Sequence, residues 1–94
     1  LNIEYASKGS FSFDVYPNPF NPQVNIAFSM DIGSYSNVTI FDVKGASLEN
    51  ITNTYFNPGN HIIQWDASNY SSGIYIVNFH IGISQYNKKI ILAK

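Results

Sequence analysis

"GIYIVNFHIGIS", Gly73 to Ser84, decides the fold class. Tyr75, Val77, Phe79 and Ile81 alternate with Ile74, Ile76, Asn78 and His80, a period of two that sends each set to one face of an extended strand. A helix would need apolar residues three and four apart to gather them on one side. Gly82 sits in a link short enough for a tight turn, so the final run, Tyr86 to Ala93, is expected to return as the second strand of an antiparallel hairpin.

Outward from this hairpin the pattern repeats. Phe11, Phe13 and Val15 alternate with Ser12 and Asp14; Val24, Ile26, Phe28 and Met30 alternate with Asn25, Ala27 and Ser29. Val38 and Ile40 form a third run, and His61, Ile63 and Trp65 share a face against Ile62 and Gln64. A weaker run from Leu48 to Tyr55 is interrupted by Asn50 and Asn53. Turn signals separate the runs: Asp31 to Ser34, Val43 to Gly45, Asn57 to Asn60 and Ser68 to Gly73. Gly45 and Gly59 stand where positive φ is expected. About seven short strands without a helix predict an all-β, immunoglobulin-like two-sheet antiparallel sandwich. Trp65 is the expected centre of its core.

One segment breaks the alternation. Tyr16-Pro17-Asn18-Pro19-Phe20-Asn21-Pro22 loses three backbone donors and cannot lie within a central ladder. It is expected to be a stiff extended crossover from the first strand to the second, between sheets, with Tyr16 and Phe20 as apolar anchors.

Composition excludes several functions. The 94 residues carry five Lys and Arg against six Asp and Glu, a net charge of −1 that offers no footprint for nucleic acid or an anionic membrane. No run is long and apolar enough for a membrane helix, and the absence of cysteine rules out disulfides and thiolate metal sites. The sequons at Asn37, Asn50 and Asn69 are what a chain so rich in Asn, Ser and Thr produces by chance. The first ten residues show no signal-peptide pattern. Residues 1–10 are therefore expected to be a linker from an upstream domain, and 11–94 the folded unit.

Catalytic motifs are missing. There is no G-x-S-x-G elbow, phosphate-binding glycine loop or H-E-x-x-H. His61 and His80 are expected as packed or surface residues, and Asp42 and Asp66 as turn residues bonding nearby amides. With Asn69, these two aspartates are the only loop oxygens that suggest calcium, and no calcium-loop motif accompanies them. Tyr35, Tyr55, Tyr70 and Tyr86 are expected to pack half-buried, the alternative being a sugar-binding platform. The chain is expected not to be an enzyme and to hold no cofactor or metal.

"YPNPFNP", "VTIFDVKG", "PGNHIIQWD", "SGIYIVNF" and "NKKIILAK", in this order, resemble the type A C-terminal sorting domain of the type IX secretion system, from about Phe11 to Lys94. That resemblance implies a sandwich serving as an address behind a covalently linked cargo. An outer-membrane translocon would recognise it in the periplasm, and a sortase-like surface peptidase would remove it at the cell surface, cutting upstream of the fold, within residues 1–10. It also implies recognition residues: Pro17, Asn18 and Pro19 in the first motif, Gly73 and Tyr75 on their strand, and Lys88, Lys89 and Lys94 on the last one. Strand addition at that last strand, with lysine charge setting register, is the expected mode. The same motifs resemble the immunoglobulin-like domain of flagellar hook-capping proteins, which usually carries a longer acidic insertion where Asp66 to Ser72 is short. An accessory carbohydrate-binding or adhesive module is the third alternative.

Overall fold

The alternating runs become seven strands: β1 (Phe11–Tyr16), β2 (Gln23–Met30), β3 (Ser34–Asp42), β4 (Ser47–Phe56), β5 (Gly59–Asp66), β6 (Gly73–Ile81) and β7 (Ser84–Leu92). The computed structural model describes residues 10–94, and among them there is no helix. The linker and cleavage region expected over residues 1–10 lie outside the described residues except for Ser10. That residue already belongs to the fold: its carbonyl accepts the Asp31 amide at 3.1 Å and its hydroxyl donates to the Asp31 carboxylate at 2.8 Å.

The strands form two sheets, β1-β2-β5 and β4-β3-β6-β7, with every neighbouring pair antiparallel. They stack as the expected immunoglobulin-like sandwich. Val24, Ile26 and Phe28 of β2 meet Val38 and Ile40 of β3, Val77 and Phe79 of β6, and Ile90 and Leu92 of β7, all buried. Each such side chain contributes about 1.5–3 kcal/mol on burial, and with no disulfide the fold rests on that term. Trp65 sits at 1 % exposure among the rings of Phe20, Tyr70 and Tyr75, with centroids 5.9, 5.4 and 5.7 Å away.

The β6–β7 hairpin forms as its sequence requires. Ile81 pairs with Ser84 across two residues, and Gly82 takes φ +60° while, among the described residues, no non-glycine residue takes a positive φ. A left-handed first central residue followed by an ordinary second one is the type II′ arrangement, whose twist matches that of the strands.

Two expectations need correction. The run expected to be weak is β4, at ten residues the longest strand. Its register slips twice against β3, between Val38 and Thr39 and between Ile40 and Phe41. At the first slip Asn50 donates to the Val38 carbonyl and the Thr39 hydroxyl, each at 3.1 Å, and also reaches Asn37. The residue that broke the alternation thus supplies the hydrogen bonds that a bulge leaves open.

The proline segment is not a crossover between sheets. β1 and β2 are neighbours, with Tyr16 opposite Asn25, so residues 17–22 form the loop of a wide hairpin. All three Xaa–Pro bonds in it are cis. The loop leans across the open side of the sandwich onto the other sheet, where Phe20 makes a parallel bridge to Leu92. Phe20 is the buried anchor at 2 % exposure, whereas Tyr16 is 42 % exposed and anchors nothing. Proline chemistry says where a chain cannot pair internally; it carries no information about which distant edge the loop will cover.

Candidate functional site

The sequence motifs far apart in the chain meet at one corner of the sandwich, beginning with the proline loop. β7 is the edge strand of its sheet, and its outward backbone groups would be unpaired without that loop. The Phe20 amide donates to the Ile91 carbonyl at 2.9 Å, and the Ala93 amide donates to the Phe20 carbonyl at 3.0 Å. One step back, the Asn18 carboxamide acts as a further peptide unit. Its Nδ2 donates to the Lys89 carbonyl at 3.1 Å, and its Oδ1 accepts the Ile91 amide at 3.0 Å. Four consecutive outward groups at the end of β7 and just past it are thereby sealed, two by backbone and two by one side chain.

Asn18 suits this place for a chemical reason. A carboxamide offers donor and acceptor side by side, and prolines on both sides hold it extended with no competing amide of their own. Asn18→Ala removes both bonds and should cost about 1–2 kcal/mol. For a domain of this size that lowers the melting temperature by roughly 4–16 °C. Asn18→Asp, which keeps the acceptor but sets a carboxylate against the Lys89 carbonyl, should be no better; wild-type melting of both variants would refute the assignment.

The start of β6 abuts the same corner. Gly73 lies opposite Leu92, and Tyr75 opposite Ile90. Tyr75 faces inward at 8 % exposure, and its hydroxyl donates to the Ser71 carbonyl at 2.6 Å, pinning the preceding loop. Lys94 ties to that loop too: its amide donates to the Ser72 hydroxyl at 3.0 Å and its ammonium to the Ser68 carbonyl at 2.6 Å. At the head of the loop, the hydroxyl and then the amide of Ser68 donate to Asp66 and hold its carboxyl below the usual carboxylate range, with smaller help from Gln23 and Lys94. Because the folded value is the lower one, this contribution is present above the unfolded value of about 3.9 and disappears as pH falls through the folded one. Asp66→Asn should therefore flatten the acid end of a melting-temperature profile while leaving the neutral region with a uniform offset.

Of the other two candidate lysines, Lys89 reaches the corner through its backbone and Lys88 does not. Lys88 lies on the inward side of β7, its ammonium 5.6 Å from the centre of the Phe13 ring on β1. Lys89 faces outward opposite Ile76, with its own carbonyl held by Asn18. The structure thus brings Asn18 to Lys89 and Lys94 to the Tyr75 loop, with Pro17 and Pro19 flanking the Asn18 contact, but leaves the Lys88 side chain on another surface. Strand addition at the last strand, expected from the sequence, meets an edge already occupied from the Lys89 carbonyl to the Ala93 amide.

Several residues outside the motifs matter, and local reading missed them. Glu49 accepts the Trp65 indole N–H at 3.0 Å and the Tyr70 hydroxyl at 3.3 Å from across the sandwich. Burial, followed by the Glu49 charge, raises the Tyr70 hydroxyl pKa above its usual range. Asp14 accepts the amide of Val15, its own neighbour, at 2.9 Å. Ser36 is buried in the core, its hydroxyl without a hydrogen-bond partner among the described residues. Only Asp14 had a local signal, a carboxylate beside an edge-strand amide.

The four tyrosines do not form one platform. Tyr35 packs on Tyr55, Tyr70 on Trp65 and Tyr86 on Phe11. His61 stacks on Phe28 and bonds the Asn57 carbonyl. Asp42 accepts the amides of Lys44 and Ala46, both at 2.9 Å, as a turn residue should. Among the described residues no group of three or more His, Asp or Glu could hold a metal ion.

A family model described as a secretion system C-terminal sorting domain matches residues 14–93. No curated protein matches the chain.

Proposed function

The chain belongs to the family of type IX secretion C-terminal sorting domains, and on that premise we propose that it works as a folded, non-catalytic address. In this reading residues 11–94 follow a cargo domain, and an outer-membrane translocon reads them after the chain has reached the periplasm. A sortase-like surface peptidase then cuts within residues 1–10, and the cargo is released or displayed outside the cell.

One observation carries the reading. Asn18, Gly73 and Lys89, drawn from three motifs spread over the sequence, lie around the end of β7, joined by the Asn18 clamp and the Gly73–Leu92 pair. A linear signal would have no need of such convergence. An address carried by a folded surface does, because only folding brings those groups together.

The test is a fusion. Residues 11–94 placed behind a signal peptide and a reporter enzyme, in a bacterium that has this export route, should deliver the reporter to the surface or medium. The same fusion in a strain lacking the translocon should stay in the periplasm. Periplasmic retention in both strains would overturn the proposal. Reversing charge at Lys88 and Lys89 together should cut delivery at least tenfold if those lysines are read.

A further inference from the structure

The β1 and β7 edges of this sandwich are guarded only in part, and their unguarded stretch has a distinct chemistry. In an antiparallel ladder every second residue turns its backbone groups away from its partner. On β7 the outward set includes Lys89 and Ile91, continued by Ala93 just past its end, as their bonds to the proline loop show, and hence also Gln85 and Asn87. On β1, Ser10 bonds inward to Asp31, so Phe11, Phe13 and Val15 turn outward. The Val15 amide is capped by Asp14, and β7 is sealed from the Lys89 carbonyl onward. The backbones of Phe11, Phe13, Gln85 and Asn87 have no such cap among the described residues.

These open stretches flank one cleft. β1 lies alongside β7 here, the Phe11 and Tyr86 rings 4.9 Å apart, and a cavity of about 290 Å³ opens between them. Phe11, Ser12, Phe13, Tyr86, Asn87 and Lys88 line it. The site therefore combines unpaired strand edges, an aromatic floor and an ammonium group over Phe13.

We propose that this β1–β7 cleft is where an extended segment of the export machinery docks, adding a strand to the Gln85–Lys88 edge, with an apolar side chain on Phe11, Phe13 and Tyr86 and a carboxylate at Lys88. Backbone pairing supplies affinity in such a mode, and the pockets and charge beside the edge supply selectivity. The occupant is a strand because the open groups repeat at strand spacing; it is acidic because, among the described residues that line the cleft, the one charged group is a cation. The proposal rests on the sorting function above.

The experiment separates the two. In the reporter fusion, Asn87→Pro removes one outward amide, and a proline is tolerated where the amide faces solvent on an edge. Asn87→Ala removes the side chain that bonds Asn78 and keeps the amide. Ile62→Pro on β5 is the matched control, since Ile62 is 63 % exposed and the β5 groups that pair with β2 belong to its neighbours His61 and Ile63. Delivery should fall at least tenfold for Asn87→Pro and for Lys88→Glu, fall clearly less for Asn87→Ala and for Lys88→Arg than for those two, and stay within twofold of wild type for Ile62→Pro. Melting of each purified domain is measured alongside, and Lys88→Glu serves as the decisive variant if Asn87→Pro unfolds. Wild-type delivery by Lys88→Glu or by a folded Asn87→Pro overturns the cleft and leaves the sorting function standing; failure of the unmodified fusion overturns the sorting function itself. Amide exchange on the isolated 94-residue chain gives a further arm. The Phe13 and Asn87 amides should exchange rapidly, and protection that vanishes when residues 1–9 are deleted would show the cleft filled by the chain itself.

Discussion

Trp65→Ala should destabilise the domain by about 3–5 kcal/mol, the range for removing a large aromatic from a packed core. Trp65 is 1 % exposed, ringed by Phe20, Tyr70 and Tyr75, and bonded through its indole to Glu49. Both sheets and the proline loop meet on it, so no single neighbour can move in to fill the space. Domains of this kind have total stabilities of about 5–15 kcal/mol, so the variant sits near or past the point of unfolding at 37 °C. Urea titration followed by near-ultraviolet circular dichroism measures this directly. Trp65→Phe keeps a ring and loses the bond to a charged acceptor, and should cost less. A loss below about 1 kcal/mol for the alanine variant would show that the core does not depend on this side chain.

Phe20→Ala should cost a similar amount, about 3–5 kcal/mol, for a different combination of reasons. Its ring is 2 % exposed against Trp65, and its backbone holds Ile91 and Ala93. With the ring gone, the loop keeps its hydrogen bonds but loses the burial that presses it down. The Ile91 and Ala93 amides should therefore exchange with solvent faster than the global loss of stability alone predicts. Unchanged relative protection of those two amides would mean that Asn18 and the prolines hold the loop without help. The double variant with Trp65→Ala should fall short of the sum, since the two rings touch and each removal empties part of the same space.

Much of the fold was legible from residue order. Alternation in β2, β3 and β6 depends only on side chains pointing to opposite faces in turn, a property of each strand alone. The Gly82 turn and the Asp42 and Asp66 caps are equally local, completed within four residues. β4 was harder because its bulges shift the parity of the alternation, and a bulge has meaning only against a partner strand. Of the candidate site, the motif residues were visible as a resemblance, but their meeting was not.

Strand pattern, turn positions and an aromatic core were thus determined by the chain's own periodicity, because each follows from groups within a few residues of one another. Only the packed structure decided that the proline loop seals one end of β7 and that, among the described residues, nothing caps the other end beside β1. Those bonds join residues 71 and 73 apart in the chain, and a carboxamide that stands in for a peptide unit leaves no local trace of the edge it will meet.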